Sequence, residues 1–64
     1  MARRKKKIRV IVRHKREKLG ISQAQLAEMV GVNVKTIERF EFGHNGISSF
    51  VLDDIFLVLK IRVG

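Results

Sequence analysis

The alternation of apolar and polar residues divides the chain into four short helical segments. Ile8, Ile11, Val12 and Leu19 can share one helical face whose opposite side is basic. Gly20 then supplies a stop, and Ile21 follows as a buried anchor. Ser22-Gln23-Ala24-Gln25 has the form of a capping box: the Ser22 hydroxyl accepts from the backbone N–H of Gln25, and the Gln25 side chain reaches back. It predicts a helix from Gln23 to Val30, with Leu26, Ala27 and Val30 inward, stopped at Gly31. Val32 reads as a buried turn residue and Asn33 as the N-cap of a helix from Val34 to Phe42. That helix turns Ile37 and Phe40 inward and ends at Gly43.

The last segment is less decided. His44-Asn45-Gly46-Ile47 reads as a loop, and Ser48 or Ser49 can cap the helix after it. Leu52, Ile55, Phe56 and Leu59 fall on one face, but Val51, Leu57, Val58 and Ile61 make the segment apolar nearly all round. Such a helix is expected to be buried on more than one side. Phe56–Val63 is also rich in β-branched residues, so a strand is the alternative for this end.

Charge changes the picture more than composition does. The 64 residues carry 14 Lys and Arg against 6 Asp and Glu, a net charge of +8. Residues 1–18 hold ten of the basic side chains and one acidic one, and residues 19–64 hold four and five. Met1–Lys7 therefore reads as a flexible basic arm, joined to a nearly neutral domain over 8–64. A polyanion is the expected partner, either nucleic acid or an anionic membrane surface. With no cysteine there is no disulfide framework, thiolate metal site or thiol nucleophile. No apolar run reaches the ~18 residues of a membrane span, and Ile8–Val12 is too short for a signal-peptide core.

Gln23–Phe42 joins two short helices through a tight turn, the form of a helix-turn-helix. Steeply crossing helices need a small residue where they touch, which Ala27 provides. The turn needs a left-handed residue four positions on, which is Gly31. Leu26, Val30, Val32, Ile37 and Phe40 then close one core. Each position alone is a weak signal, but all seven in register are a strong one. The bland alternative is any small helical bundle with a glycine-terminated helix.

Arg16-Glu17-Lys18-Leu19-Gly20-Ile21-Ser22-Gln23-Ala24-Gln25-Leu26-Ala27, then Gly31-Val32 and Ile37-Glu38-Arg39-Phe40-Glu41-Phe42-Gly43, resembles the Cro/C1-type (XRE-like) helix-turn-helix regulators, which include lambdoid phage repressors. The resemblance covers roughly 8–61 and is most specific over 16–43. It implies an all-α fold, a compact bundle of four helices, or five, of the lambda-repressor-like type. It implies a bacterial or phage sequence-specific regulator of transcription, most often a repressor, that binds double-stranded DNA as a dimer in the cytoplasm. By position, Arg16 and Glu41 match an ion pair between the first helix and the recognition helix, and Gln23 matches a phosphate contact. Asn33, Val34, Lys35 and Arg39 match the face that meets base edges. Lys35 and Arg39 are four apart, hence on one face; the bland reading pairs them with Glu38 or Glu41.

Arg13, His44, Asn45 and Ser48 complete the expected phosphate contacts, and Arg3, Arg4, Lys5, Lys6 and Lys7 form the arm that follows the DNA backbone or enters a minor groove. Phe42 departs from the usual polar residue before Gly43 and either packs inward or is exposed near DNA or a partner. The family commonly carries a further helix, so the apolar 51–63 segment either belongs to a fragment or is itself the homodimer interface. An antitoxin-type autoregulator, with a toxin-like partner on this segment, is the alternative function. A non-specific nucleic-acid or membrane-surface binder driven by the arm leaves the Ala27–Gly31 register unexplained. His14 and His44 lie on different elements, and Asp53 and Asp54 point different ways, so neither a metal site nor an acid–base pair is expected. No cofactor and no enzymatic activity are expected.

Overall fold

The computed structural model describes residues 7–44 and 46–61. Over these it is all-helical, with α1 (Ile8–Lys18), α2 (Gln23–Val30), α3 (Val34–Phe42) and α4 (Ser49–Leu59). The C-terminal segment is thus helical to Leu59, and the strand alternative is set aside there. Lys7 is not free arm: it is the α1 N-cap, and its carbonyl accepts from the N–H groups of Val10 and Ile11. Residues 1–6 and 62–64 and Asn45 lie outside the described residues.

Each helix begins where a side chain can satisfy an orphan N–H, α1 excepted. Ser22 accepts from Gln25 N–H at 3.0 Å, and Gln25 Oε1 accepts from Ser22 N–H at 2.8 Å, so both bonds of the capping box form. Asn33 Oδ1 caps α3 by accepting from Lys35 N–H at 2.8 Å. Of the two serines before α4, Ser48 is the cap, accepting from Val51 N–H at 3.3 Å.

All four helices end alike. A residue in the left-handed region follows the last turn, and two nested backbone bonds close it: Ile21 N–H to Arg16 C=O, Val32 N–H to Ala27 C=O, His44 N–H to Arg39 C=O and Ile61 N–H to Phe56 C=O, each enclosing a bond from the N–H of the left-handed residue to the carbonyl three residues back. The left-handed residue is Gly20, Gly31 and Gly43 in the first three. In α4 it is Lys60, at φ 57°, which pays the Cβ penalty that glycine avoids.

α2 packs chiefly on α3, and α1 and α4 close over them. Val12, Leu26, Ala27, Ile37, Phe40, Ile55 and Leu59 form one buried core, with each helix contributing. Several expectations shift. Ile8 and Leu19 are each 47 % exposed, so the inward face of α1 is Val12 with Arg16. Leu19 lies beyond the last turn as a cap residue, which takes it off the helical repeat. Ile21, Val30 and Val32 are half-buried rather than buried, because they pack on the rim of this small core. α4 has one fully buried stripe, Ile55 and Leu59, and not two. Phe50 (82 %) and Leu57 (75 %) face outward, since α1 and α2 cover only one side of this helix.

Candidate nucleic-acid interface

The second face of α3 is what the fold leaves open. Its inward positions, Ile37, Phe40 and Glu41, are buried, and Val34 and Thr36 are half-buried at the margins. Lys35, Glu38, Arg39 and Phe42 are exposed on the other side. A shallow cleft beside them is lined by Asn33, Lys35, Thr36, Arg39 and Gly46.

A buried polar network fixes which face this is. Arg16 Nε donates to Glu41 Oε2 at 2.7 Å and Nη2 to Oε1 at 3.0 Å, a bidentate fork between α1 and α3. Arg16 Nη1 donates to the Ile21 carbonyl at 2.7 Å, and Gln23 Nε2 donates to Glu41 Oε1 at 3.0 Å. No buried side-chain N or O lacks a partner among the described residues. The hydrogen bond to Glu41 raises the Arg16 pKa above its already high ordinary value, against an opposing effect of desolvation. The guanidinium contribution is therefore present throughout the ordinary pH range and lost only in strong alkali. Such a network specifies geometry more surely than it adds net stability. It locks the rotation of α3 about its own axis, and so the direction of Lys35 and Arg39.

Arg16–Glu41 is the only ion pair among the described residues. Lys35 and Arg39 are thus unpaired there, and Glu41 is occupied on the opposite side of their helix. Asn33 spends its Oδ1 on the cap, so only its amide N–H groups are available to an acceptor. Val34 packs against the core, leaving little of its side chain to offer.

Gln23 uses one amide N–H on Glu41, and its second is free. The backbone N–H groups of Gln23 and Ala24, at the start of α2, also have no intrahelical acceptor. Together with the helix dipole these favour an anion at this end. Arg13 and His44 are exposed, on α1 and just after α3, and Ser48 caps α4. Asn45 and Arg3–Lys6 lie outside the described residues. The arrangement thus sets Asn33, Lys35 and Arg39 together at one cleft, whose lining does not include Arg13 on α1.

The chain matches a helix-turn-helix family model over residues 12–64, a span that contains the α2–α3 unit with its left-handed Gly31. The chain belongs to this Cro/C1-type helix-turn-helix family. Neither curated proteins nor solved structures give a match. The family is one of DNA-binding regulators, so double-stranded DNA is this helix-turn-helix protein's ligand. No described helix is long and apolar enough to cross a membrane.

Two residues at the site escaped the sequence pattern. Thr36 lines the cleft although it sits between two expected contacts. Arg9 lays its guanidinium against Gly43, 3.0 Å from where a Cβ would stand. Its spacing to Arg13 is helical, but nothing in the sequence tells which α1 basic residues reach α3. Phe42 is the other resolved question: it is 77 % exposed and meets His44 edge-on, with ring centroids 4.9 Å apart.

Proposed function

We propose that this helix-turn-helix protein is a sequence-specific transcriptional repressor that reads the DNA major groove with α3 and binds as a homodimer. The observation that carries this reading is the state of Lys35 and Arg39: exposed, four residues apart, and without an ion-pair partner among the described residues. Either cation can bind the O6 and N7 of guanine, and Asn33 can donate to an acceptor on a neighbouring base. Val34 adds at most an edge contact with a thymine methyl. Gln23, through its second amide N–H and the α2 N-terminus, holds a phosphate. Arg13, His44, Asn45 and Ser48 add phosphate contacts, and Arg3, Arg4, Lys5, Lys6 and Lys7 supply affinity without sequence information.

A dimer of this kind reads two half-sites about 34–36 Å apart. Selection of bound sequences from random DNA at fixed salt tests the reading. A palindromic consensus is the expected outcome. An enriched pool without consensus would leave only a non-specific binder, and reporter transcription that rises with the protein would reverse the regulatory sign.

A further inference from the structure

A cleft between α1 and the end of α4 shares no residue with the surface proposed for DNA. Ile11, His14, Lys15 and Lys18 line it at the spacing of one face of α1, and Lys60 and Ile61 close it from the end of α4. It offers about 850 Å³, the size of a small-molecule site. Its two isoleucines are half-buried, and its three lysines stand against one carboxylate, Glu17. None of these charged groups has an ion-pair partner among the described residues. Like charges gathered in this way repel one another, and an anion among them relieves the repulsion. A second observation singles out the same place. Three helices end at a glycine in the left-handed region, and only α4 puts a side chain there, Lys60 at φ 57°. Strained backbone of this kind clusters at ligand sites, and here it sets an ammonium group in the lining of the cleft.

We propose that this cleft binds a small organic acid with an apolar body, of which a medium-chain carboxylate is the simplest case. The carboxylate accepts charge-assisted hydrogen bonds from the lysines, and the hydrocarbon lies on Ile11 and Ile61 along the lysine stems. Each part of the lining rejects a different competitor. Inorganic phosphate and acetate satisfy the lysines but leave the isoleucines wet. A neutral alcohol of the same length covers the isoleucines but leaves the lysines uncompensated. A nucleic-acid backbone meets Glu17, which repels phosphate, and hydrocarbon where it needs donors.

Titration of the full chain with decanoate, followed through its amide NMR shifts, tests it. Saturable shifts confined to residues 11–18 and 60–61 are expected, with an affinity that falls as salt is added. Decanol and acetate should each bind at least about tenfold more weakly. Lys18→Glu should weaken decanoate binding about tenfold. Lys60→Gly should also weaken it about tenfold. That variant stays folded, because glycine suits the left-handed position, so its loss of binding is not a loss of structure. Shifts that never saturate overturn the proposal, as does decanol or acetate binding as tightly as decanoate. Displacement of decanoate by duplex DNA overturns it too, and makes the cleft a DNA contact. So does a decanoate affinity that falls as protein concentration rises, which means that a second copy covers the cleft. Lys35→Ala, which tests base reading by α3, should leave decanoate binding unchanged.

Discussion

α3 and α4 are built from similar parts and held in different ways. Each begins at a side-chain cap and ends at a left-handed residue, and each buries one stripe in the same core. α3 places a carboxylate in that stripe, gripped by Arg16 and Gln23. α4 places only hydrocarbon there. A bidentate hydrogen-bonded pair is directional, and apolar contact is not. The helix proposed to read DNA is therefore fixed in rotation by a polar lock, and the helix that closes the core is fixed by packing. The outward faces follow suit: α3 shows mainly charge, whereas α4 shows Phe50 and Leu57.

The largest effect is expected at the polar lock. Glu41→Ala leaves Arg16 buried and unpaired, and it should cost about 3–5 kcal/mol, enough to unfold much of so small a domain. Urea denaturation reads this directly; a loss below ~1 kcal/mol would mean that the pair is not sealed from water. On the α4 side, Ile55→Ala should cost about 2–5 kcal/mol through lost burial and a cavity. Phe50→Ser, one and a half turns earlier and outward, should stay within about 0.5 kcal/mol in the monomer.

Lys35→Ala and Arg39→Ala act on DNA selectivity rather than on stability. Each should leave stability unchanged and relax base preference at one operator position by about 1–3 kcal/mol, read by competition binding against single-base variants. Unchanged selectivity in both would mean that the outward face of α3 is not the reading face. Smaller effects of opposite sign separate the two helix ends. Gly43→Ala should cost about 1–2 kcal/mol, since it puts a Cβ in the left-handed region and displaces the Arg9 guanidinium. Lys60→Gly should instead gain roughly 0.5 kcal/mol, because it relieves the same strain where it already exists. Thermal melts of the two variants, shifting in opposite directions, check the pair.

The same contrast explains what could be read in advance. α2 and α3 are announced by local signals that act within four residues: the Ser22–Gln25 box, the Asn33 cap, and glycine stops at Gly31 and Gly43. Those signals do not depend on what packs against them, so the helix-turn-helix was legible. α4 has hydrophobic residues on every side, so its periodicity could not choose the buried stripe, and Lys60 hides a stop in a residue that seldom makes one. The outward turn of Leu57 needed the positions of α1 and α2. At the site, the helical spacing of Lys35 and Arg39 was legible, but the link from Gln23 to Glu41 spans 18 residues and depends on how two helices cross. The hold of Arg9 on Gly43 is likewise tertiary.

The polar lock has a consequence for how this sequence can change over time. Both oxygens of one carboxylate are taken, by two side chains from α1 and α2, and one of those side chains also ties down the Ile21 carbonyl. No single replacement at position 16 or 41 leaves the rest satisfied. Loss of either charge strands the other, and joint replacement by apolar residues also removes the donor to the Ile21 carbonyl. Positions 16 and 41 should therefore drift as a unit, with position 23 free to follow, while 35 and 39, the proposed base contacts, can vary independently. A change of binding preference is thus open to single substitutions, and a change of scaffold is not.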